Sequence, residues 1–216
     1  MRPRKLTARI RSVTPLANGF LKVNRYELEI DKHEGGTQIG TWELMERGHS
    51  VGVLGYDPVR DAVVLVNEFR PGAFISGDYP YTDNLVAGGV ATGESPLEAA
   101  VREMKEEAGL ELRDPQLIHA GAYVSSGGTS EKLALVSGTV DSSLARGVHG
   151  NPNEKEDILT LVLPAEEFIA RARRGELTDL KTLVAAYWLA EQRRARREFA
   201  HTHATVSRAE PQDEES

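Results

Sequence analysis

The chain has 216 residues, of which 40% are hydrophobic, and its 33 acidic and 26 basic side chains give a net charge of −7. This balance argues against non-specific binding to nucleic acid, which requires basic patches. The absence of cysteine excludes disulfides and thiolate sites, so a metal would be held by oxygen or imidazole, which favours Mg²⁺ or Mn²⁺. The N-terminus lacks the apolar run of a signal peptide and no segment is apolar for long enough to span a bilayer, so we expect a cytoplasmic protein without membrane contact.

The first 46 residues read as a small β unit. The stretches TARIRSV, FLKVNRYELEI and TQIGTWELM are strand-like, and the polar HEGG at 33–36 predicts a hairpin turn. Such a unit is too small to bury a core alone, and this small size favours a partner surface.

A second block begins at Val51, where VGVLGY and AVVLVNEF predict two buried strands around the turn DPVRD. The elements that follow are a glycine-rich loop (VAGGVATGES), a helix at 96–108, strands near 116–124, 131–139 and 157–163, and helices near 164–174 and 179–199. Strands and helices interleave without a regular βαβ rhythm, so we predict an α/β (α+β) fold with a mixed sheet flanked by helices. The expected units are a β subdomain at 1–46, a main domain at 47–200 and a polar, disordered tail at 201–216.

The helix at 96–108 has signals at both ends. Ser95 is a suitable N-cap and forms a capping box with Glu98, and Gly109 suits the C-terminal stop. Apolar residues recur at three- and four-residue spacings and predict a buried stripe, formed by Leu97, Val101, Met104 and Ala108.

Three glutamates share one side of this helix. Glu103 and Glu107 lie about one turn apart, Glu106 lies beside them, and Arg102 can pair with Glu106. Such a cluster is either a solvated acidic face or a cation site. The second interpretation gains from the preceding loop, whose glycines let backbone groups approach a ligand closely.

The spacing of residues 88–110 is specific: Gly88, five residues, Glu94, seven residues, then Arg102-Glu103-Met104, one residue, Glu106-Glu107, one residue and Gly109-Leu110. This segment resembles the Nudix box at each fixed position. The resemblance implies a Nudix-type fold in which a loop–helix–loop binds divalent cations that hold a nucleoside-linked diphosphate. Such cations neutralise the diphosphate, polarise its P–O bonds and lower the pKa of bound water.

The resemblance also implies roles for single residues. Glu103 and Glu107 correspond to metal ligands, and Ala87 supplies a backbone carbonyl to a metal. Glu106 and Glu94 correspond to a ligand or a supporting acid. Arg102 orients the acids.

Other stretches are similar to the ADP-ribose pyrophosphatase branch of the family: ERGHSVGV at 46–53, DPVRDAVVLVNEFR at 57–70, SSGGTSE at 125–131 and GVHGNPNEKEDI at 147–158. Arg70 ends a buried-type strand and is either a phosphate clamp, as the branch implies, or half of a structural salt bridge. The loop at 125–131 reads as a turn by itself, and by resemblance it lines the terminal ribose pocket with Gly128 and Glu131.

The acidic loop NEKED at 153–157 would, from composition alone, be a solvated loop. The resemblance places it over the metals. It makes Glu154 the general base and Glu156 a further metal ligand, on a loop able to close over substrate.

The resemblance further implies a homodimer in which the N-terminal subdomains are exchanged and both subunits form the adenine site. Phe20 would stack on adenine, and Trp42 or Glu43 would line the pocket. Without the resemblance, Phe20 and Trp42 are core or interface aromatics.

We therefore expect Mg²⁺-dependent hydrolysis of ADP-ribose to AMP and ribose 5-phosphate. One alternative is another nucleotide sugar, such as a GDP-mannose-like substrate. A second alternative, of a different class, is a non-catalytic regulator that binds ADP-ribose. The intact box at 88–110 argues against it.

Overall fold

The computed structural model of the protein describes residues 5–151 and 156–207. Its strands are β1 (Ala8–Asn18), β2 (Lys22–Asp31), β3 (Thr37–Glu46), β4 (Ser50–Asp57), β5 (Ala62–Phe69), β6 (Tyr81–Asn84), β7 (Val86–Gly89), β8 (Arg113–Tyr123), β9 (Lys132–Thr139), β10 (Val148–His149) and β11 (Ile158–Pro164). Its helices are α1 (Pro71–Ile75), α2 (Pro96–Ala108), α3 (Ala165–Arg174) and α4 (Leu180–Ser207), with a 3₁₀ turn at Ser142–Leu144.

The three N-terminal strands form a separate antiparallel sheet in the order β1-β2-β3. The β2–β3 register runs from Lys22 opposite Glu46 to Asp31 opposite Thr37, so HEGG forms the connecting turn as predicted. No residue of these strands is fully buried. The sheet joins the rest of the protein where the Met45 N–H donates to the carbonyl of Gly128 at 2.9 Å.

The remaining strands form one mixed sheet in the order β10-β11-β5-β4-β9-β8, with β6 on β5 and β7 on β4. The β4–β9 pair is parallel, and its register runs from Ser50 opposite Leu133 to Tyr56 opposite Thr139. Each of the other pairs in this sheet is antiparallel. The predicted mixed sheet is therefore confirmed.

Helices cover both faces of this sheet. Successive side chains of β5 point to opposite faces, so each face carries an apolar cluster that a helix can cover. Val64 and Val66 pack with Met104 of α2 on one face. Val63 and Leu65 pack with α3 and α4 on the other face, where Phe168 is fully buried. The sheet is thus sandwiched between helices, as the sequence predicts.

Strands β4 and β5 pair only next to the turn that joins them, from Gly55–Asp57 to Ala62–Val64. Beyond this point β7 takes the free edge of β4 and β6 takes that of β5. The corner between β6 and β7 is fixed by Leu85, whose N–H donates to the Thr182 hydroxyl at 2.9 Å. This divergence opens the sheet beside β7 and the end of β5.

Several elements differ from the predicted pattern. The short elements α1, β6 and β7 were not predicted, and α4 continues to Ser207, over the first part of the expected tail. The rest of that tail lies outside the described residues. Among the described residues, no helix combines the length and apolar character needed to cross a membrane.

Candidate active site

Helix α2 is held at both ends as its sequence predicts. The Ser95 hydroxyl accepts from the Glu98 N–H at 3.3 Å, and the Glu98 carboxylate accepts from the Ser95 N–H at 2.8 Å, which completes the capping box. Gly109 ends the helix with φ of 68°, a left-handed conformation that favours glycine. The predicted start, end and caps of α2 are therefore confirmed.

Arg102 is the centre of a charged network on this helix. Its Nε and Nη2 donate to the two carboxylate oxygens of Glu94, at 2.9 and 3.0 Å. Its Nη1 donates to Glu103 at 2.7 Å and to Glu106 at 3.2 Å, and its Nη2 also donates to the carbonyl of Gly89 at 2.8 Å. Because a guanidinium has five N–H donors, this arrangement satisfies each of them. Arg102 thus contacts three acids of the cluster, and its role in orienting them for a metal stays a prediction.

Gly88 of β7 leaves the space that the Glu103 carboxylate occupies. A Cβ atom at position 88 would lie 1.8 Å from Oε1 of Glu103 and 2.0 Å from its Cδ. Real Cβ atoms do not approach other atoms this closely, so any larger residue at 88 would displace the carboxylate. The glycine of the motif is explained by this contact and needs no special backbone angle.

Glu107 and Glu103 are buried, at 4% and 7% exposure. Burial raises the pKa of Glu107 to about 8. The hydrogen bond that its Oε2 accepts from the Ala87 N–H at 3.0 Å acts in the opposite direction and lowers this pKa. Burial also raises the pKa of Glu103, while Arg102 acts in the opposite direction. Burying carboxylates in this way is unfavourable unless a positive charge compensates them.

Two further carboxylates act on Glu107. The negative charges of Glu68, at the end of β5, and of Glu156 both raise its pKa. Burial raises the pKa of Glu68 itself, and the positive charges of Arg70 and Lys181 oppose this. Four acids from α2, β5 and the segment before β11 therefore share one electrostatic environment.

This donor set fits a hard divalent cation. Its side-chain donors are carboxylate oxygens, which magnesium and manganese prefer. In the part of the chain that the structure describes, no three acidic or histidine side chains are already close enough to enclose an ion. Arg102 instead holds Glu103 and Glu106 by hydrogen bonds.

Two cavities are lined by residues that contact these acids, although Glu103, Glu106 and Glu107 line neither. One, of about 410 Å³, is lined by Ala87 and Gly88 and by apolar side chains of β8, β9 and α4. The other, of about 920 Å³, is lined mainly by polar groups of β6 and of the loop before α4. Arg70 lines both cavities and forms a salt bridge with Glu68. Both interpretations of Arg70 thus remain compatible with its position.

The predicted loop at 125–131 borders the first cavity. Glu131 is buried there and accepts a hydrogen bond from the Ser50 hydroxyl at 2.6 Å, with Arg47 at 3.7 Å. Gly128 instead contributes backbone contacts, since its N–H donates to the Ser125 carbonyl at 3.0 Å. Glu131 therefore lines a cavity beside Ala87, whereas Gly128 links this loop to β3.

Phe20 and Glu43, which are expected at the adenine site, lie on the N-terminal sheet unit and line neither cavity. Phe20 is 97% exposed in the β1–β2 turn, and Glu43 forms a surface salt bridge with Arg25 at 2.7 Å. The Trp42 ring lies over Gly40, where a Cβ would be 2.6 Å from the ring. The adenine role of Phe20 and Glu43 stays a prediction that needs a second subunit.

The predicted acidic loop is described only in part. Glu154 lies outside the described residues. Glu156 is described, and its Oε2 accepts from the Asn151 N–H at 2.8 Å. Gly150 allows this approach, because a Cβ at 150 would lie 2.7 Å from the Cβ of Glu156.

Two charged residues near the site were not predicted. Glu68 lies in a strand with no motif of its own. The presence of an acid inside the otherwise buried-type stretch AVVLVNEF was a signal in the sequence that could have indicated a functional role. Lys181 lies in the first turn of α4 and lines both cavities. Neither position could be placed beside the carboxylates without knowing the sheet order.

Comparison with known proteins gives a family match and named relatives. The model of the NUDIX domain matches residues 46–183. The ADP-ribose pyrophosphatase of Escherichia coli (strain K12) is 37% identical over 147 residues, which cover 68% of this chain and 70% of that protein. The GDP-mannose pyrophosphatase of Pectobacterium atrosepticum is 28% identical over 169 residues, which cover 78% and 86%.

A solved structure shares the fold. The crystal structure of an ADP compounds hydrolase superimposes with a TM-score of 0.67 at 19% identity and covers 91% of this chain and 98% of that one. Since 91% of the chain exceeds the share formed by residues 47–216, the match extends into the N-terminal β unit.

Proposed function

The chain belongs to the Nudix hydrolase family, and from this premise we propose that it hydrolyses ADP-ribose to AMP and ribose 5-phosphate. The observation that carries the proposal is the Arg102 network beside buried Glu103 and Glu107, which lie against Gly88 and Ala87 in the wall of a cavity. A cluster of buried acids next to an open cavity suits a substrate whose phosphates arrive with divalent cations.

Mg²⁺, or alternatively Mn²⁺, is the proposed cofactor. Glu103, Glu107 and Glu156 would hold it with the Ala87 carbonyl, and Glu106 would assist. When bound, such an ion neutralises the diphosphate and makes water a stronger nucleophile. The oxygen-only donor set supports this choice over softer metals.

The protein's own groups complete the reaction. Arg70 binds a phosphate oxygen and leaves its salt bridge with Glu68 to do so. Glu154, by family resemblance, takes the proton of the attacking water. The water oxygen bonds to one phosphorus while the bond from that phosphorus to the bridging oxygen breaks, which leaves two phosphate monoesters. Arg102 keeps the acids oriented throughout.

A homodimer with exchanged N-terminal subdomains is part of the proposal. The sheet β1–β3 buries none of its residues, and it exposes apolar side chains such as Ile10, Ile39 and Phe20. A three-stranded sheet of this kind needs a covering surface. A second copy would supply one and bring Phe20 and Glu43 to an adenine site. The cytoplasmic location expected from the sequence stays a prediction.

A substrate panel tests the proposal. Purified protein is assayed with ADP-ribose, GDP-mannose and a dinucleotide, with Mg²⁺ and with EDTA. We expect the highest kcat/KM on ADP-ribose, and no turnover with EDTA. Glu154→Gln should lower kcat by about 10²- to 10⁴-fold with little change in metal binding, because a general base contributes about that factor. Unchanged turnover in this variant would remove Glu154 from the mechanism.

The second candidate substrate is a GDP-mannose-like nucleotide sugar. It is favoured by the weaker similarity to GDP-mannose pyrophosphatases such as that of Pectobacterium atrosepticum. A guanosine sugar with the highest kcat/KM in the panel would replace ADP-ribose in the proposal. Binding of ADP-ribose without any turnover would instead support the non-catalytic regulator.

A further inference from the structure

Lys181 lies at the junction of the two cavities, and its positive charge acts on Glu68. Arg70, Asp179 and Lys181 are the residues that line both of them. A nucleoside diphosphate sugar has its diphosphate in the middle, with one bulky group on each side. The junction of two cavities is where the middle of such a molecule would lie.

The stem of Lys181 is enclosed by the protein, and its side chain is only 13% exposed. It passes over β4 at Gly52, where a Cβ would lie 3.3 Å from the lysine Cδ. An ammonium group held this deeply loses hydration, which is unfavourable unless it has anionic partners. The packing therefore holds a positive charge near the cavities and favours an anion beside it.

Among the described residues, Lys181 forms one salt bridge. Its Nζ donates to Oδ1 of Asp179 at 2.8 Å. Oδ2 of Asp179 accepts from the N–H and the hydroxyl of Thr182, at 3.0 and 2.5 Å. Asp179 is thus positioned as the N-cap of α4 without help from the lysine. An ammonium has three N–H donors, so two donors of Lys181 are not engaged by Asp179.

We propose that Lys181 binds a non-bridging oxygen of the substrate diphosphate beside Arg70, at the junction of the two cavities. This inference rests on the proposed function, because it requires a substrate with a central diphosphate. Lysine suits the role as a compact charge with rotatable donors, while Arg70 supplies a planar, two-pronged contact. The capped Asp179 keeps the ammonium in place before substrate arrives.

The test separates a lost phosphate contact from a disturbed salt bridge. Lys181→Met keeps the stem and removes the charge, and the double variant Asp179→Asn/Lys181→Met also removes the carboxylate that would otherwise be left unpaired. Lys181→Arg restores a cation. Lys105→Met, on the exposed side of α2, is the control for general loss of one positive charge. Each protein is measured for ADP-ribose affinity by calorimetry in EDTA, for kcat and KM with Mg²⁺, and for Tm.

We expect both Lys181→Met proteins to bind ADP-ribose about tenfold more weakly, as for loss of one charge-assisted hydrogen bond. Lys181→Arg should regain part of the loss, and Lys105→Met should match the wild type. Wild-type affinity in either Lys181→Met protein would overturn the proposal; recovery only in the double variant would show that the unpaired Asp179 caused the loss. Wild-type turnover of ADP-ribose tests the proposed function separately. If the wild type prefers GDP-mannose, the binding series is repeated with that ligand and judged by the same outcomes.

Discussion

Gly88→Ala should weaken Mg²⁺ binding and lower the rate of hydrolysis, because the added methyl group displaces the carboxylate of Glu103. The added Cβ would lie 1.8 Å from Oε1 of Glu103, whereas ordinary contacts begin near 3.4 Å, so the carboxylate must move by more than 1 Å. This movement breaks the 2.7 Å hydrogen bond between Arg102 and Glu103. A charge-assisted hydrogen bond contributes about 1.5–3 kcal/mol, which corresponds to roughly 10- to 100-fold in binding or rate.

The measurement is the initial rate of ADP-ribose hydrolysis over a range of Mg²⁺ concentrations. Gly88→Ala should need more Mg²⁺ for half-maximal rate and should reach a lower plateau. The neighbouring Gly89→Ala is the matched control. A Cβ there meets no atom within 4 Å, and neither glycine has a left-handed φ, so the control should lose far less.

The fold should survive the change, because the displaced atoms are the end of a flexible side chain. Thermal unfolding is measured on both variants for this reason. Equal rates and equal Mg²⁺ dependence in Gly88→Ala and Gly89→Ala would refute the reasoning that Gly88 makes room for a functional Glu103.

Three other predictions concern single side chains. Arg102→Lys can make at most three of the five hydrogen bonds, so kcat should fall by about tenfold or more and Tm should fall, and a wild-type rate would show that the network is dispensable. Glu68→Gln should raise the Mg²⁺ concentration that gives half-maximal rate. If only the KM for ADP-ribose changes, the function of Glu68 is limited to its salt bridge with Arg70. Burial would raise the pKa of Asp57, but hydrogen bonds from Ser142 and Arg60 hold it well below its usual value. A carboxyl whose pKa is lowered by folding stabilises the folded state above its unfolded pKa of about 3.9, and this stabilisation is lost as the pH falls. The free energy of unfolding of the wild type should therefore exceed that of Asp57→Asn by roughly 0.7 kcal/mol less at pH 3.5 than at pH 7. Urea unfolding at the two pH values measures this difference. A constant difference over that range would refute the assigned pKa direction.

Local signals predicted the parts of the site that lie on one element. The capping box of Ser95 and Glu98 and the glycine stop at Gly109 define α2, and all of them act within a few residues. The spacing of the box likewise brought Glu103 and Glu107 together. These predictions succeed because helix geometry is set by neighbours in sequence.

Contacts between distant segments escaped prediction. The strands β6 and β7 have four residues each, too few for a clear alternation, and they exist because β4 and β5 diverge. The approach of Lys181 to the cavities depends on α4 crossing the sheet near Gly52. The buried pair of Glu131 and Ser50 depends on the parallel alignment of β4 and β9. Each of these is decided by tertiary packing and has no counterpart in local sequence.

The parallel alignment of β4 and β9 also bears on how the enzyme is made. Helix α2, with every carboxylate it contributes, lies in the crossover between these strands. During synthesis, β4 cannot form its parallel pair with β9 until the ribosome has released Lys132–Thr139. Nascent chains stalled before that point should therefore bind no nucleotide, and the site should arise in a single late step of translation.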